Sequence, residues 1–350
     1  MKKTSGSLRF AALILTLLVL PGCSGERSLE ETVGRKRPAL LIEESYEPYV
    51  IPWYLDAPRK ADRAGTLDFY FMSSNNMPFN EESIAPGKWG DACLVVFPNG
   101  ETMLIDGGQT GYEDLLLQNL TYLGVEKLDH LVMSHPHSDH CWALLQPGGL
   151  VDTMEIDHIY HNGMYNLNWG SDIRLVDQRT RKLGIPVTVW KAGDTMEIGG
   201  VSLEVLGPGG DCAGKMSNTS ETINNHSLVI RFDYDDFSAL FTGDLYASGE
   251  AEYVRDVPGK LDADLMKVPH HGYATSSSGA FIDAISPAVA VATGNVVMDH
   301  EVYKAYASRG VAVYLDYRDG YICVSSDGKE MSVETGHERN TNMYDGYEKD

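Results

Sequence analysis

A run of six residues, His-Pro-His-Ser-Asp-His at positions 135–140, places four potential metal ligands in one short segment. The segment directly before it is apolar and typical of a strand that ends at a small residue. His135 and His137 alternate and can therefore turn towards one metal, while Asp139 and His140 reach a second. Neutral imidazole and carboxylate groups suit zinc, and they also accept manganese or iron. The chain has 11 histidines in all, so an accidental cluster of surface histidines explains this density poorly.

Three further motifs flank this run. Residues 90–100 and 103–108 are typical of a hairpin, because two apolar strands flank an Asn-Gly turn. Downstream, an alternating strand ends in Phe-Thr-Gly-Asp at 241–244, and residues 266–272 read Met-Lys-Val-Pro-His-His-Gly. In their residues and in their order along the chain, the motifs resemble those of the metallo-β-lactamase-fold hydrolase superfamily. Within it they are most similar to the hydrolase domain of the ComEC competence channel and to the phosphorylcholine esterases.

The resemblance covers roughly residues 66–335 and implies an α/β fold, the αββα sandwich, with two mixed sheets face to face and helices outside. The chain has 350 residues and 43% hydrophobic content, which is enough for one large domain of this kind. The residue patterns predict helices at 280–285 and 300–309 and final strands at 311–315 and 321–325.

The resemblance also assigns metal ligands outside the six-residue run. Asp244 matches the family residue that bridges both metals, and its two carboxylate oxygens can each bind one cation. In the pair His270-His271, the alignment favours His271 as the ligand, with His270 as the alternative. His226 stands before a strand, where lactamases and lactonases place a third histidine; the alternative is a loop histidine that only forms hydrogen bonds. The expected ligands of two divalent metals, zinc or else manganese or iron, are His135, His137, Asp139, His140, His226, Asp244 and His271.

A site of this kind implies hydrolysis. Two cations about 3.5–4 Å apart generate a hydroxide near neutral pH and neutralise charge on the substrate oxygen. We expect Asp139 to hold the attacking group as well, and His300 matches a histidine that the ComEC-like branch carries near the cleft. Asp106, in Ile-Asp-Gly-Gly, is expected to orient the histidine loop, as carboxylates behind ligating imidazoles commonly do.

Residues 158–169 are unusually rich in aromatic and amide side chains. One hypothesis is that Tyr160, Tyr165 and Trp169 offer aromatic faces to a quaternary ammonium such as choline; packing in the core is the commoner outcome for such residues. An aromatic cage would suit phosphocholine esters of small molecules or envelope polymers. The sequence therefore favours a phosphodiesterase acting on a phosphorylcholine-ester-like substrate.

Two other activities and one binding function are alternatives. An extracellular ComEC-like nuclease is disfavoured because the net charge is −22, and nonspecific nucleic-acid affinity comes from Lys and Arg. A lactonase or β-lactamase is disfavoured because the downstream motifs match the other branch. A metal-free binding lipoprotein is disfavoured because the expected ligands are all present.

The start of the chain predicts export. A basic segment containing Lys2, Lys3 and Arg9 precedes an apolar run at 10–20 that is too short for an ordinary membrane-spanning helix. The run ends in Leu-Pro-Gly-Cys23, which resembles a bacterial lipobox and implies cleavage before Cys23 and lipidation of its sulfur. The alternative is an ordinary secretory signal. The predicted organisation is a signal peptide at 1–22, a tether at 23–65, a hydrolase domain at 66–337 and a polar tail at 338–350.

This organisation implies an enzyme that is held outside the cytoplasm on a bacterial membrane by acyl chains. Export permits disulfides between the four remaining cysteines, although the sequence leaves their pairing open. Cys93 and Cys323 lie in strand-like runs and are interpreted as buried small hydrophobic residues. Cys141 follows His140 directly, but the family motif does not use that position as a ligand.

Overall fold

The computed structural model describes residues 43–46, 65–72, 90–167, 173–294 and 296–336. The predicted signal peptide, Cys23, Trp169 and the polar tail lie outside these residues. Within the described part of the chain, no helix is both long enough and apolar enough to cross a membrane.

Strands and short helices alternate along the chain. The strands are β1 (Glu43–Tyr46), β2 (Leu67–Phe71), β3 (Cys93–Val96), β4 (Thr102–Ile105), β5 (Lys127–Met133), β6 (Glu155–His161), β7 (Tyr165–Asn166), β8 (Val187–Val189), β9 (Thr195–Ile198), β10 (Val201–Gly207), β11 (Met216–Ser217), β12 (Val229–Tyr234), β13 (Phe237–Phe241), β14 (Leu265–Lys267), β15 (Val289–Ala292), β16 (Ala312–Leu315), β17 (Ile322–Ser326) and β18 (Met331–Thr335). The helices are α1 (Glu113–Tyr122), α2 (Ser138–Leu145), α3 (Leu150–Thr153), α4 (Ile173–Leu183), α5 (Ser220–Asn224), α6 (Ala247–Asp256), α7 (Gly279–Ile285), α8 (His300–Ala307) and α9 (Asp316–Asp319), with 3₁₀ turns at Pro258–Lys260 and Pro269–Gly272.

The strands form two large mixed sheets. Among the described residues, the first sheet has nine strands in the order β1-β18-β17-β2-β3-β4-β5-β6-β8. The second has seven, in the order β16-β15-β14-β13-β12-β10-β9, and a short parallel pair joins β7 to β11. The predicted hairpin is β3–β4, in which Val96 pairs with Thr102 and Gly100 has a φ of +87° in the turn. Glycine tolerates this positive φ better than residues with a Cβ atom do.

Three apolar clusters divide the molecule into four layers. The central cluster lies between the sheets and includes Phe69 of the first sheet and Phe232 of the second, whose ring centroids are 5.4 Å apart. A second cluster packs the outer face of the first sheet against α1 and α2, through residues such as Leu116. A third packs the second sheet against α7 and α8, through residues such as Phe281. The predicted αββα sandwich is therefore confirmed.

The end of the chain departs from the prediction. The strand predicted at 321–325 is present as β17, but it is not the final strand, because the chain turns at Gly328 and returns as β18. Residues of β18 alternate between buried and half-buried, so its apolar pattern is weaker than that of the fully buried β17. Glu43–Tyr46, within the predicted tether, forms β1 and pairs in parallel with β18.

The topology gathers several strand ends at one edge of the sandwich. In the first sheet, β4 and β5 run parallel, and in the second, β13, β14 and β15 do so. The loops that follow these strands carry Asp106, the 135–140 run, Asp244, the His270-His271 pair and Thr293. Because parallel strands end at the same edge of their sheet, the predicted ligands are brought close together from segments far apart in sequence.

Candidate metal centre

The histidine loop is held by its own backbone. His135 follows β5, and α2 begins at Ser138, so Asp139 and His140 lie in the first turn of that helix. The N–H of His137 donates to the carbonyl of His135 at 3.0 Å. The N–H of Gly107 donates to the backbone carbonyl of His140 at 2.8 Å. These bonds present all four predicted side chains of the run on one side of the loop.

Six side chains form two groups of potential ligands that share one carboxylate. One group contains Asp139, His140, Asp244 and His271, and the other contains His135, His137 and Asp244; in each, one ligand atom per residue lies within 4.8 Å of the others. Asp244 Oδ2 is 3.1 Å from His140 Nε2 and 3.9 Å from His135 Nε2. A carboxylate common to both groups is placed as a bridging ligand would be. Zinc is held in proteins by histidine nitrogens and carboxylate oxygens of this kind.

The lone pairs of these imidazoles fit metal ions. His140 Nε2 is buried and makes no hydrogen bond, while His140 Nδ1 donates to Asp106 Oδ2 at 2.8 Å. In the other group, His135 Nε2 and His137 Nδ1 converge to 3.0 Å. A buried nitrogen without a hydrogen bond is costly unless something else occupies its lone pair. The donor set therefore suits the two divalent metals that the fold implies.

Two carboxylates orient the ligating histidines from behind. Asp106 has a φ of +59° and accepts the hydrogen bond from His140 described above. It also accepts hydrogen bonds from the backbone N–H of Ser134 at 2.7 Å and from the Ser134 hydroxyl at 2.6 Å. On the other side, His271 Nδ1 lies 3.1 Å from Asp91 Oδ1 and 3.2 Å from the Thr293 carbonyl. Both contacts leave the Nε2 atoms turned towards the shared carboxylate, as is usual for metal-ligating histidines.

Asp91 and Lys267 belong to the centre, and sequence reasoning missed both. Lys267 is 4% exposed; its ammonium contacts Asp91, lies 3.3 Å from Asp244 Oδ1 and donates to the carbonyl of Gly243 at 3.0 Å. Burial lowers the pKa of Lys267, but Asp91 and Asp244 raise it above its ordinary value. The available signal was the lysine between apolar neighbours in Leu-Met-Lys-Val and the aspartate in Gly-Asp-Ala-Cys-Leu, since buried strands seldom carry a charge without a partner.

The histidines of the centre differ in their affinity for protons. Burial lowers the pKa of His135 well below its usual value, and the adjacent His140 and His137 lower it further. Burial also lowers the pKa of His140, but Asp244, Asp106 and Asp139 raise it by more, so that it lies well above its usual value. His271 behaves like His140, with Asp244 and Asp91 as its partners. A metal that binds here would displace these protons, so its affinity is expected to fall at low pH.

Two predicted or alternative ligands lie outside both groups. His226 is partly exposed, and its Nδ1 is 2.7 Å from the carbonyl of Thr222. The helical turn of α5 therefore engages the imidazole, and the structure does not bring it to the metal groups. His270 has a φ of +48°, and its Nδ1 contacts Thr275 Oγ1 at 2.5 Å. Burial lowers its pKa to about 4.

His300 begins α8 at the rim of the centre. The N–H of Asp299, the preceding residue, donates to the carbonyl of Gly272 at 2.9 Å and ties this helix start to the loop that carries His271. His300 itself is 3.8 Å from Glu301, through Nδ1 and Oε1. The structure thus places the predicted catalytic residue directly after the residue that is bonded to the loop carrying His271.

Within the described part of the aromatic segment, Tyr160 lies in the core and away from the metal centre. Tyr160 is 6% exposed and stacks on Trp190 at 4.2 Å within the central core, because the alternation of β6 turns it towards the second sheet. Tyr165 packs partly against the outer cluster of the first sheet. The segment's amides brace the centre instead: Asn166 Nδ2 donates to the Pro136 carbonyl at 2.9 Å, and Asn162 Nδ2 to that of His226 at 2.8 Å.

Other aromatic rings do lie beside the centre. The rings of Tyr246 and Tyr273 are 4.8 and 5.2 Å from that of His270, and Tyr273 is 6.2 Å from His271. Among the described residues, Cys93, Cys141, Cys212 and Cys323 are buried and form no disulfide bond. Cys141 Sγ contacts the carbonyl of His135 at 3.1 Å and lies outside both ligand groups.

An αββα sandwich with two His/Asp groups sharing a carboxylate at its edge defines a class of metal-dependent hydrolases. Residues 87–293 match the family described as the Metallo-beta-lactamase superfamily. The chain belongs to this superfamily, and the resemblance predicted from the sequence motifs is confirmed.

The chain is also similar to competence proteins. It is 28% identical over 222 residues to ComE operon protein 3 of Bacillus subtilis (strain 168), covering 58% of this chain and 26% of that protein. It is 30% identical over 226 residues to competence protein ComA of Neisseria gonorrhoeae, covering 62% of this chain and 28% of that protein. The chain thus spans about a quarter of the length of these relatives.

The alignment with one solved structure covers a larger share of both chains than the alignments with the competence proteins do. The metallo-β-lactamase fold protein YhfI of Bacillus subtilis has a TM-score of 0.45 and 14% identity, and the alignment covers 71% of this chain and 96% of that one.

Proposed function

We propose that the chain is an exported, lipid-anchored, metal-dependent phosphodiesterase that prefers esters carrying a cationic, phosphorylcholine-like group. The observation that carries the hydrolytic part is the pair of buried ligand groups that share Asp244. Two divalent metals bound there, zinc or else manganese or iron, would activate water at neutral pH and neutralise charge on the phosphoryl oxygens.

The chain's own residues prepare the site for this chemistry. Asp106 and Asp91 fix the orientation of His140 and His271, so that their Nε2 atoms face Asp244, where the metals would bind. Asp139 Oδ2 lies 3.2 Å from His271 Nε2, and in this proposal it would orient the attacking water as well as bind metal. His300, at the rim, is assigned to substrate contact.

The preference for a cationic group rests on the surroundings of the site. Tyr273 is 37% exposed, and its ring lies close to His271, so it can offer its face to a quaternary ammonium. Beside His226, a cavity of about 460 Å³ is lined by the carboxylates of Glu221, Glu252 and Asp256. In this proposal, Tyr273 takes the role of the aromatic face that the sequence suggested for Tyr160. The same role for Trp169 stays a prediction.

A ComEC-like nuclease is the second candidate, favoured by the similarity to two competence proteins. Against it stands the net charge of −22, which opposes nonspecific attraction of a polyanion. A nuclease that follows phosphates through Lys and Arg would lose affinity steeply with added salt, whereas a small choline ester would respond weakly.

The test compares three substrates on the purified, metal-loaded full chain: p-nitrophenyl phosphorylcholine, bis-p-nitrophenyl phosphate and single-stranded DNA. We expect the choline ester to be cleaved with the highest kcat/KM. Tyr273→Ala should lower kcat/KM for this ester by about 2- to 30-fold through a higher KM, as loss of a cation–π contact implies, and should leave bis-p-nitrophenyl phosphate unaffected.

Tyr273→Phe is the matched control, because it keeps the aromatic face and should retain the choline preference. An equal loss on both esters in Tyr273→Ala would remove the cation-binding role. Efficient, salt-sensitive cleavage of DNA with neither ester cleaved would establish the nuclease instead.

A further inference from the structure

The two ligand groups are unequal. The group around His140 and His271 offers four protein atoms, whereas the group around His135 and His137 offers three, counting Asp244 in both. Histidine and carboxylate sites for zinc usually reach four ligands, with water filling a catalytic position. The smaller group therefore has room for another protein ligand, and His226, which the sequence suggested, is engaged by Thr222.

Asn224 lies at this position instead. It is the last residue of α5 and is 1% exposed. Its side-chain amide lies within interaction range of the His137 imidazole and of Tyr246. Its Oδ1 atom is buried, and no described residue satisfies it with the distance and angles of a regular hydrogen bond.

The segment that carries Asn224 is fixed against the centre. The N–H of Leu228 donates to the carbonyl of Ser134 at 2.9 Å, directly before His135. Ser227 Oγ accepts from the N–H of Asp244 at 3.2 Å, and Asn225 Oδ1 accepts from that of Tyr246 at 3.0 Å. Three bonds to two other segments therefore hold the residues next to Asn224 in place, so the buried amide oxygen has a fixed position in the site.

A buried amide oxygen with no donor is rare in proteins, because it loses its bond to water and gains none in return. Such exceptions usually mark the place of a bound water, an ion or a functional role. Beside two imidazoles and a shared carboxylate, a cation is the partner that the surrounding chemistry favours. Carbonyl oxygens also bind manganese and other hard divalent metals well.

We propose that Asn224 Oδ1 is the remaining protein ligand of the metal held by His135, His137 and Asp244. This inference rests on the two-metal site proposed above and adds to it a ligand that the histidine pattern did not indicate. An amide oxygen in place of a third imidazole makes this position harder in ligand character, and it should discriminate less strongly in favour of zinc over manganese.

The test counts metals on the full-length protein at a series of buffered free zinc concentrations, by elemental mass spectrometry on folded samples. Wild type should hold two zinc ions. In Asn224→Ala, one of the two should require about 10- to 100-fold more free zinc, as loss of an ordering or ligating group typically does. His226→Ala is the matched control two residues away, and its zinc occupancy should follow wild type.

Asn224→Asp keeps the size of the side chain and makes the ligand anionic, so it should hold both metals at equal or lower free zinc. If Asn224→Ala does not fold, Asn224→Asp decides, and weaker binding of one metal than in wild type overturns the inference. Two metals held by Asn224→Ala at wild-type zinc, or the loss of one in His226→Ala, also overturn it. If wild type itself holds fewer than two, the proposed two-metal site fails as well.

Discussion

Lys267 is buried between Asp91 and Asp244 in the wall of the metal centre. A buried cation is costly unless opposite charges and hydrogen bonds compensate it, and here two carboxylates and a carbonyl do so. Burial opposes ionisation of Asp91, but Lys267, His271 and His140 hold its pKa well below the usual value. The lysine therefore allows two buried aspartates to stay ionised when no metal is bound.

Replacing Lys267 with Met should be strongly destabilising, because it leaves two buried carboxylates without their cation. We expect the free energy of unfolding of the metal-depleted protein to fall by about 3–5 kcal/mol, measured by urea denaturation in the presence of a chelator. Lys127→Met is the matched control, since Lys127 also contacts two carboxylates but lies at the surface. It should unfold at nearly the wild-type urea concentration. Similar losses in both variants would contradict this role of Lys267.

The candidate site was predictable where ligands cluster in sequence or match a family motif. The 135–140 run needs only one loop, so its spacing alone indicates a metal site. Asp91, Lys267 and Asn224 have no such local signal, because their roles arise from contacts between segments far apart in sequence. The sequence indicates His226 and gives no sign of Asn224, because histidine is the commoner ligand. In the structure, the turn of α5 engages the His226 imidazole and buries Asn224 Oδ1.

At the scale of the elements, the ends of the strands leave little space around the ligands. Gly294 follows β15 with a φ of +99°, and a Cβ atom there would lie 2.5 Å from His271 Nδ1. Its N–H donates to Asp316 Oδ2 at 2.9 Å, which limits any retreat of the backbone. The glycine thus lets the loop after β15 pass directly behind a predicted metal ligand.

Gly294→Ala should displace the His271 ring and weaken the metal bound by the group that contains it. We expect at least about a tenfold increase in the free zinc needed to fill that position. Gly193→Ala is the control, because Gly193 has a similar φ of +92° but a Cβ atom there would meet no other atom within 4 Å. Both variants carry the backbone strain of a positive φ, and only Gly294→Ala should lose metal. Equal zinc affinity in the two would refute the contact.

Elements that are buried on both faces were the most predictable part of the fold. The strand β3 is a continuous apolar run and β13 alternates, and the hairpins of both carry recognisable turn residues. The strand β18 alternates between buried and half-buried residues, so its apolar pattern is weak. The strand β1 is defined by its pairing with β18, which lies far away in sequence. Tyr160 lies on the core face of β6, and composition alone cannot tell that face from one that borders the cleft.

At the scale of the whole molecule, the proposed anchor constrains where the enzyme acts. Residues 24–42 separate Cys23 from β1, which belongs to the first sheet. A segment of this length spans at most about 65 Å when fully extended. The proposed enzyme would therefore reach substrates on or near the membrane surface that holds it.

Cys23→Ser should release the protein from the membrane, because the acyl chains are attached to the sulfur. In bacteria that process lipoproteins, we expect wild type in the membrane fraction, and we expect Cys23→Ser mainly in the soluble fraction or as unprocessed precursor. Intact-mass measurement should show the added acyl groups on wild type alone. Membrane association that is equal in both proteins and insensitive to high salt would contradict anchoring through Cys23. Cys212→Ser is the control for loss of a thiol elsewhere.

The shared carboxylate has a consequence for when the protein acquires its metals. Asp244 comes from the second sheet, whereas His135, His137 and His140 come from the first, so neither half of the chain carries a complete site. A polypeptide that crosses a membrane unfolded would arrive without its ions and collect them afterwards. The identity of the metal would then be set by the supply outside the cytoplasm, and starvation for that ion in the surroundings would silence the enzyme without changing its synthesis.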